Sequence, residues 1–481
     1  MKRPRSPQLV SRIRKGVRLR KFAYQVLWAV DRGATADAVL EKFRAQLRER
    51  RDRDFLTEVV QGVLRQQARL DYIMHHIAGS SYYQIGRSAR ILIRVGLYQL
   101  FFMERVPAYA AVHATTEVSR HISGVSTRLV HAILRRAAEL EHWETILPDR
   151  VENPIRYLAV RYSFPQWIVR RWVDWWGEEK TERILTALQQ HPPVYIRRHM
   201  ELPDDRFVQL LAEQGLTVER VASIPDCFRV VRGVPQRTAA FRRGYFAIQD
   251  AASQIVPLLT RVEPGQMVLD ACAAPGNKTT RLIQDMQYTG TIVVADISIA
   301  RMRETVTNLM RWLQKTRLQT ETFRIWPVVT DMRMPALVPD RQFDCVLVDA
   351  PCSNLGVAHR HPEVKWRLTP EKIAQLGDLQ VALLTGVASY VRPGGHLVYA
   401  VCTLEREETH DVIERFLHER PDFYRIRLDT RDWPVPIRQH VQDRYYWVVW
   451  PDVAPMDGFF GVVFRRKRIR GRVHHAHGIR G

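Results

Sequence analysis

The sequence predicts an α/β protein in two parts, an all-α N-terminal region followed by a parallel sheet with crossover helices. Up to about residue 145, apolar residues recur at three- and four-residue spacing, the mark of amphipathic helices. From about residue 241, short apolar runs alternate with helical stretches, the mark of a parallel sheet. At 481 residues, 46% of them hydrophobic, the chain has material for two or three cores.

The first 21 residues carry nine lysines and arginines and no acid, and are read as a basic arm able to touch phosphate, with 1–17 as the tail proper. Residues 18–145 are expected to form one helical domain from segments such as RKFAYQVLWAVDRG, RSARILIRVGLYQLFFME and STRLVHAILRRAAELEH. Asp52 and Ser126-Thr127 offer N-caps, while Gly33, Gly79 and Pro107 separate helices. His75 and His76 lack a carboxylate or cysteine at ligand spacing and are read as core or rim residues.

Residues 146–240 are read as a connecting α+β subdomain that opens on the tryptophan-rich helix FPQWIVRRWVDWWGEE. Its stripe of Trp167, Trp172, Trp175 and Trp176 is assigned to core rather than to base stacking. Residues 241–468 hold the runs QMVLD, GTIVVAD, WPVVTD, FDCVLVDAP and GGHLVYAVCT, expected as strands. The tail 469–481 is basic, and its three histidines are read as solvated, with no metal expected.

The charge narrows the partner. Lysines and arginines number 73 against 51 acids, a net +22 and a sequence pI near 10.2. Such a surplus favours a polyanion, nucleic acid first and an anionic membrane second. Five cysteines without a CxxC pair predict free thiols in a reducing cytoplasm. Neither a signal peptide nor a membrane span is expected, since no stretch approaches 18 uncharged apolar residues.

Ligands of parallel sheets gather at the carboxyl ends of the strands. The run PGQMVLDACAAPGNKTTRLIQ reads as strand, tight turn and helix, and the small residues Ala273, Ala274, Pro275 and Gly276 let a ligand approach the backbone. A nucleoside-triphosphate P-loop is excluded, because Ala271 to Ala274 contain no glycine and Asn277 separates Gly276 from Lys278. Asp270, Asp296, Asp331 and Asp349 follow successive strands. Four strand-end aspartates in succession point to a nucleoside-bearing cofactor, Asp296 at the offset where a carboxylate takes ribose hydroxyls.

Cys345 lies inside an apolar run and is read as core. Cys352 and Cys402 each follow a strand into the turn where a substrate would lie, and the residues alone leave both readings open, buried thiol or reagent.

In order, DACAAPGNKTT, VADIS, TDMR, DAPCS and YAVCT resemble the S-adenosylmethionine-dependent RNA cytosine-5 methyltransferases of the Sun/Fmu and Nop2 type, with GYFAIQDAASQIV and DGFFGVVFRRK as further parts of the signature. The helical region is similar to NusB-like RNA-binding modules. The resemblance implies a Rossmann-like class I methyltransferase domain preceded by a NusB-like domain, S-adenosylmethionine as cofactor, and RNA, small-subunit ribosomal RNA foremost, as substrate. DNA is not expected, because the Glu-Asn-Val motif of the DNA enzymes does not occur. Transfer RNA as substrate, or a non-catalytic role in ribosome assembly, are the alternatives.

By the same resemblance Cys402 is the nucleophile that adds to carbon 6 of cytosine, and Cys352 assists release of product. Asp349 and Lys278 are catalytic-site residues. Cys272 to Lys278 (Cys272, Ala273, Ala274, Pro275, Gly276, Asn277, Lys278), with Asp296, Asp331 and Asp349, line the cofactor. The sequence departs from the family at Asn277, where a second glycine is usual, at Val401, in place of threonine, and at Asn354-Leu355, in place of a small pair.

Overall fold

A computed structural model describes residues 7–140, 142–199, 202–314, 322–338 and 342–468 of the chain. It divides into two compact units, 1–191 with 358–367, and 192–357 with 368–481. The expected connecting region 146–240 is thus shared between them. The C-terminal tail with its histidines lies outside the described residues.

The helical unit begins with Pro7–Asp31, Ala36–Arg44, Arg50–Arg65, Gln67–Ala78, Arg87–Phe102, Ala108–Ser119 and Thr127–Ala137. Their apolar faces enclose a core that includes Leu27, Val60, Leu92, Val118 and Leu134. The first helix starts within the stretch read as a basic arm. Proline is well suited to a first helical turn, and the apolar spacing through Val17 and Phe22 continues the helix without a break.

Pro154–Arg161, Gln166–Trp176 and Glu178–Gln189 complete the helices of this unit. Of the four tryptophans assigned to core, Trp172 alone is fully buried. Trp167 and Trp175 lie one and two turns along a neighbouring stripe and flank Arg171, whose guanidinium is 5.3 Å from each ring centroid. Helical periodicity therefore splits the stripe between core and cation-π contact.

Residues 358–367 join the helical unit although their neighbours in sequence belong to the other. Trp366 Nε1 donates to the Leu64 carbonyl at 2.7 Å, and the Ala36 amide donates to Glu363 at 3.2 Å. Lys365 is buried, donates to the Arg65 carbonyl at 3.2 Å and lies 4.1 Å from the Phe164 ring centroid. Desolvation pushes its pKa well below that of an ordinary lysine.

The second unit opens with β1 (Tyr195–Arg198), β2 (Thr217–Arg220), β3 (Cys227–Arg232) and β4 (Phe246–Ile248), an antiparallel sheet in the order β2-β3-β1-β4. The helix Asp204–Ala212 supplies Phe207 and Leu211 to its small core.

The larger sheet contains β5 (Met267–Asp270), β6 (Gly290–Asp296), β7 (Phe323–Val329), β8 (Phe343–Asp349) and β9 (Val391–Val401), parallel in the order β7-β6-β5-β8-β9. The strand order reverses between β5 and β8, which puts a topological switch point beside the carboxyl end of β5. Alternate residues enter different cores, Val268, Leu347 and Val398 on one face and Leu269, Val346 and Tyr399 on the other. Such strands are buried on both faces, hence the near-continuous apolar runs. Cys345 lies in this core, as expected.

The sheet is mixed rather than parallel throughout. β10 (Phe423–Arg425), β11 (Val441–Gln442), β12 (Tyr446–Val449) and β13 (Phe459–Arg466) follow, and β13 pairs antiparallel with β9 and with β12. The segment DGFFGVVFRRK was read for its motif; its buried run Phe459 to Phe464 is a central strand.

Gly290 opens β6 with φ +98°, and a Cβ there would stand 2.3 Å from the Gln266 carbonyl oxygen. Gly290→Ala is expected to cost about 2 to 3 kcal/mol through positive φ and backbone clash, read as a lower urea midpoint of the sheet unit.

Candidate active site

The ends of β5, β6, β7, β8 and β9 build the site. Beyond β5 the chain makes a tight turn in which the Ala273 amide donates to the Ala295 carbonyl at 2.9 Å and the Gly276 amide to the Ala273 carbonyl at 2.7 Å. Gly276, at φ +95°, starts the helix Asn277–Asp285, and a Cβ on it would meet Thr305 Cγ2 at 3.0 Å. Glycine is the residue that fits there.

A cavity of about 530 Å³ opens at these strand ends. Of the residues predicted from sequence, its wall includes Cys272, Ala274, Lys278, Asp296, Asp331, Asp349, Cys352 and Cys402. Ala273, Pro275, Gly276 and Asn277 shape the turn behind that wall. The Asn277 amide points elsewhere, donating to the Ile248 carbonyl at 3.3 Å.

The four aspartates play different parts. Asp270 is fully buried; Thr279 donates to one of its oxygens at 2.7 Å, and the other has no hydrogen-bond partner among the described residues. Burial is the main reason its pKa rises to about 7, with the Asp349 charge adding to it. Asp296 accepts from the Ser298 amide at 2.9 Å and lies 3.5 Å from the Arg301 guanidinium. Asp331 is clasped by Arg333 at 2.6 to 3.0 Å, and those hydrogen bonds hold its pKa below the usual carboxylate value. Asp349 accepts from Lys278. Burial works against the Lys278 ammonium, but the Asp349 charge and hydrogen bond outweigh it and hold its pKa above that of a free lysine.

Parallel pairing of β8 with β9 brings the two cysteines together. Cys352 Sγ and Cys402 Sγ are 3.3 Å apart. The hydrogen bond with Cys402, followed by burial, drives the Cys352 pKa well above that of a free thiol, so Cys352 is protonated at neutral pH. Cys402 is partly exposed on the cavity wall.

Sequence reasoning missed the groups that hold this pair. Glu408 Oε1 accepts from the Ser353 amide at 2.8 Å and from Gln380 at 3.0 Å, while Tyr399 donates to Gln380 Oε1 at 2.9 Å. All three side chains are buried behind the Cys352 loop. Burial raises the Glu408 pKa against the opposing hydrogen bonds from Ser353. Arg197, also buried, donates to Gln249 at 3.1 Å and Gln284 at 2.6 Å, with its guanidinium 4.3 Å from the Trp312 ring centroid, so it ties β1 to the helix behind the cavity. Polar residues scattered over 200 positions carry no local pattern. Phe459, 5.2 Å from Lys278 Nζ, had a signal in the quoted DGFFGVVFRRK segment.

Comparison with known proteins bears on this geometry. Residues 257–465 match the model of the 16S rRNA methyltransferase RsmB/F family, residues 17–139 that of the NusB family, and residues 164–237 that of an RsmF/B-like ferredoxin-like domain. The chain is 31% identical over 462 residues to the ribosomal RNA small subunit methyltransferase B of Klebsiella pneumoniae, covering 95% of this chain and 100% of that one. It is 31% identical over 449 residues to the protein of the same name from Vibrio cholerae, covering 92% and 95%. Among solved structures, a methyltransferase homolog protein from Pyrococcus horikoshii is 27% identical with a TM-score of 0.54, covering 65% of this chain and 99% of that one.

Two outcomes are expected of the site. Since the Asp270 pKa rises from 3.8 unfolded to about 7 folded, its contribution to stability is full below about pH 4 and is lost as pH rises through 7. Thermal denaturation from pH 4 to 8 is expected to show this loss, and Asp270→Asn to flatten it. Gly356→Ala would put a Cβ 2.3 Å from the Gly458 carbonyl oxygen and 2.9 Å from that of Cys402. Methyl transfer should fall by about 100-fold through misplacement of the reacting groups, with cofactor affinity by calorimetry unchanged.

Proposed function

Because the chain belongs to the 16S rRNA methyltransferase RsmB/F family, we propose that it methylates carbon 5 of a cytosine in small-subunit ribosomal RNA through a covalent adduct with Cys402. The observation that carries this reading is the pair of sulfurs 3.3 Å apart on the wall of a cavity lined by strand-end acids.

The cofactor is S-adenosylmethionine, and the cavity fits it. Asp296 and Asp331 stand at the ends of neighbouring strands to take ribose hydroxyls and base. Both carboxylates line the cavity. When bound, the cofactor supplies an electrophilic methyl group.

Carbon 5 of cytosine is a weak nucleophile. The Cys402 thiolate forms a bond to carbon 6, and the electron pair of the ring double bond moves to make carbon 5 nucleophilic. Once carbon 5 carries the methyl group, its proton passes to water, the C–H electron pair re-forms the double bond, and the bond from Cys402 to carbon 6 breaks with its electron pair leaving on the sulfur. Cys352, protonated beside the leaving sulfur, assists this last step. Lys278, attracted both to Asp349 and to Cys402, supports the charge on the attacking sulfur. We assign Asp349 to the polar edge of the base or to the methionine end of the cofactor.

A base within a duplex cannot reach such a cavity, so the target lies in a loop or is flipped out. Residues 1–191 carry 33 lysines and arginines against 19 acids, which supports phosphate contact by the helical unit. No helix of the described residues is long and apolar enough to cross a membrane. A ribosomal RNA substrate and free thiols suit the cytoplasm.

The test is a denaturing gel of Cys352→Ala incubated with S-adenosylmethionine and unmodified small-subunit ribosomal RNA, with Cys402→Ala beside it. A slow-migrating adduct is expected in the first lane and none in the second, together with complete loss of turnover in Cys402→Ala. Turnover by Cys402→Ala would overturn the nucleophile's assignment. An adduct with transfer RNA but not with ribosomal RNA would overturn the substrate.

A further inference from the structure

The loop 353–357 is fastened to the strand that bears Cys402. Ser353 Oγ donates to Thr403 Oγ1 at 2.8 Å, the Ser353 amide to Glu408 at 2.8 Å, and the Gly356 amide to the Cys402 carbonyl at 3.1 Å. These ties deliver the Asn354 side chain onto the reactive sulfurs. Its Oδ1 lies 2.9 Å from Cys402 Sγ and 3.7 Å from Cys352 Sγ, and the residue forms part of the cavity wall. Asn354 holds φ +58°, a conformation that asparagine adopts more readily than most residues with a side chain.

We infer that Asn354 is a further catalytic residue, whose amide hydrogen-bonds the Cys402 sulfur in both protonation states and favours the thiolate that attacks the base. The inference rests on the reading of Cys402 as nucleophile. An asparagine amide presents an acceptor oxygen and two N–H donors, exchanged by a half turn about its last torsion. Toward the thiol, Oδ1 accepts the S–H. Once the proton has passed to solvent, Nδ2 turns to the sulfur and donates to the thiolate. A hydrogen bond to an ion is stronger than one between neutral groups, so the amide shifts the balance toward the ion.

The other charged or titratable groups around this sulfur are Cys352, the Lys278 ammonium with its partner Asp349, and Asp270 beyond them. Glu408 and Tyr399 act on Cys352 from its far side. Of these only Cys352 also meets the Asn354 amide, 3.7 Å from its Oδ1, so each variant is also compared in a Cys352→Ala background, where a difference reports the amide at Cys402.

The experiment measures the pH dependence of Cys402 alkylation by iodoacetamide in the full chain without RNA, read by mass spectrometry of the Cys402 peptide. Wild type is compared with Asn354→Gly, which tolerates positive φ, and with Asn354→Asp, which keeps the shape and offers only acceptors. The glycine variant is expected to raise the midpoint by about one pH unit and to slow alkylation at pH 7 roughly tenfold; the aspartate variant should do more. Unchanged cofactor affinity by calorimetry identifies the folded variants, and either one suffices for the comparison. A midpoint that stays or falls on loss of the amide overturns the inference. The readout needs no RNA, so it can fail while the Cys402 adduct still forms; a missing adduct with shifted midpoints would count against the nucleophile alone.

Discussion

Parallel pairing of β8 with β9, in a register that sets Asp349 beside Ala400, is the constraint on which the site depends. Cys352 follows Asp349 by three residues and Cys402 follows Ala400 by two, so the register alone brings two distant thiols to one place. A slip of one residue would turn the side chains of one strand to the opposite face and separate them. β9 is guarded against such a slip because its other edge pairs with β13, Val401 opposite Phe460. The antiparallel half of the sheet therefore serves the chemistry without supplying a reacting group.

Around the sulfurs, buried charge is arranged by partner rather than by residue type. Lys278 donates to Asp349, whose charge and hydrogen bond outweigh what the ammonium loses by leaving water. Asp270, as deeply buried but with a threonine hydroxyl in place of a cation, is pushed toward its neutral form. The same contrast separates the thiols: Cys352 is kept protonated by its neighbour and by burial, while Cys402 meets the cavity.

Glu408, Gln380, Tyr399 and Ser353 make a buried polar brace that fixes the Cys352 loop from behind. Such a network is costly to bury, and here Glu408 Oε1 is met by an amide and a backbone N–H while Gln380 takes a hydroxyl. Lys365 shows the opposite solution in the helical unit, where a backbone carbonyl and an aromatic face replace a carboxylate. Both rigidify a segment that has little regular structure of its own.

Much of this protein was legible in its residues. The change of apolar period near residue 241, the five strands of the parallel core and the four strand-end aspartates follow from local pattern, because the pleat and the helical turn impose periods that a sequence displays. The cysteines could be located but not interpreted, since reactivity depends on what lies within a few ångströms and not on neighbours in the chain. The strand β13, the brace of Glu408, the seating of 358–367 in the helical unit and the amide of Asn354 were decided by tertiary structure. Each joins residues far apart in sequence, through contacts whose energy exists only once the sheet has closed.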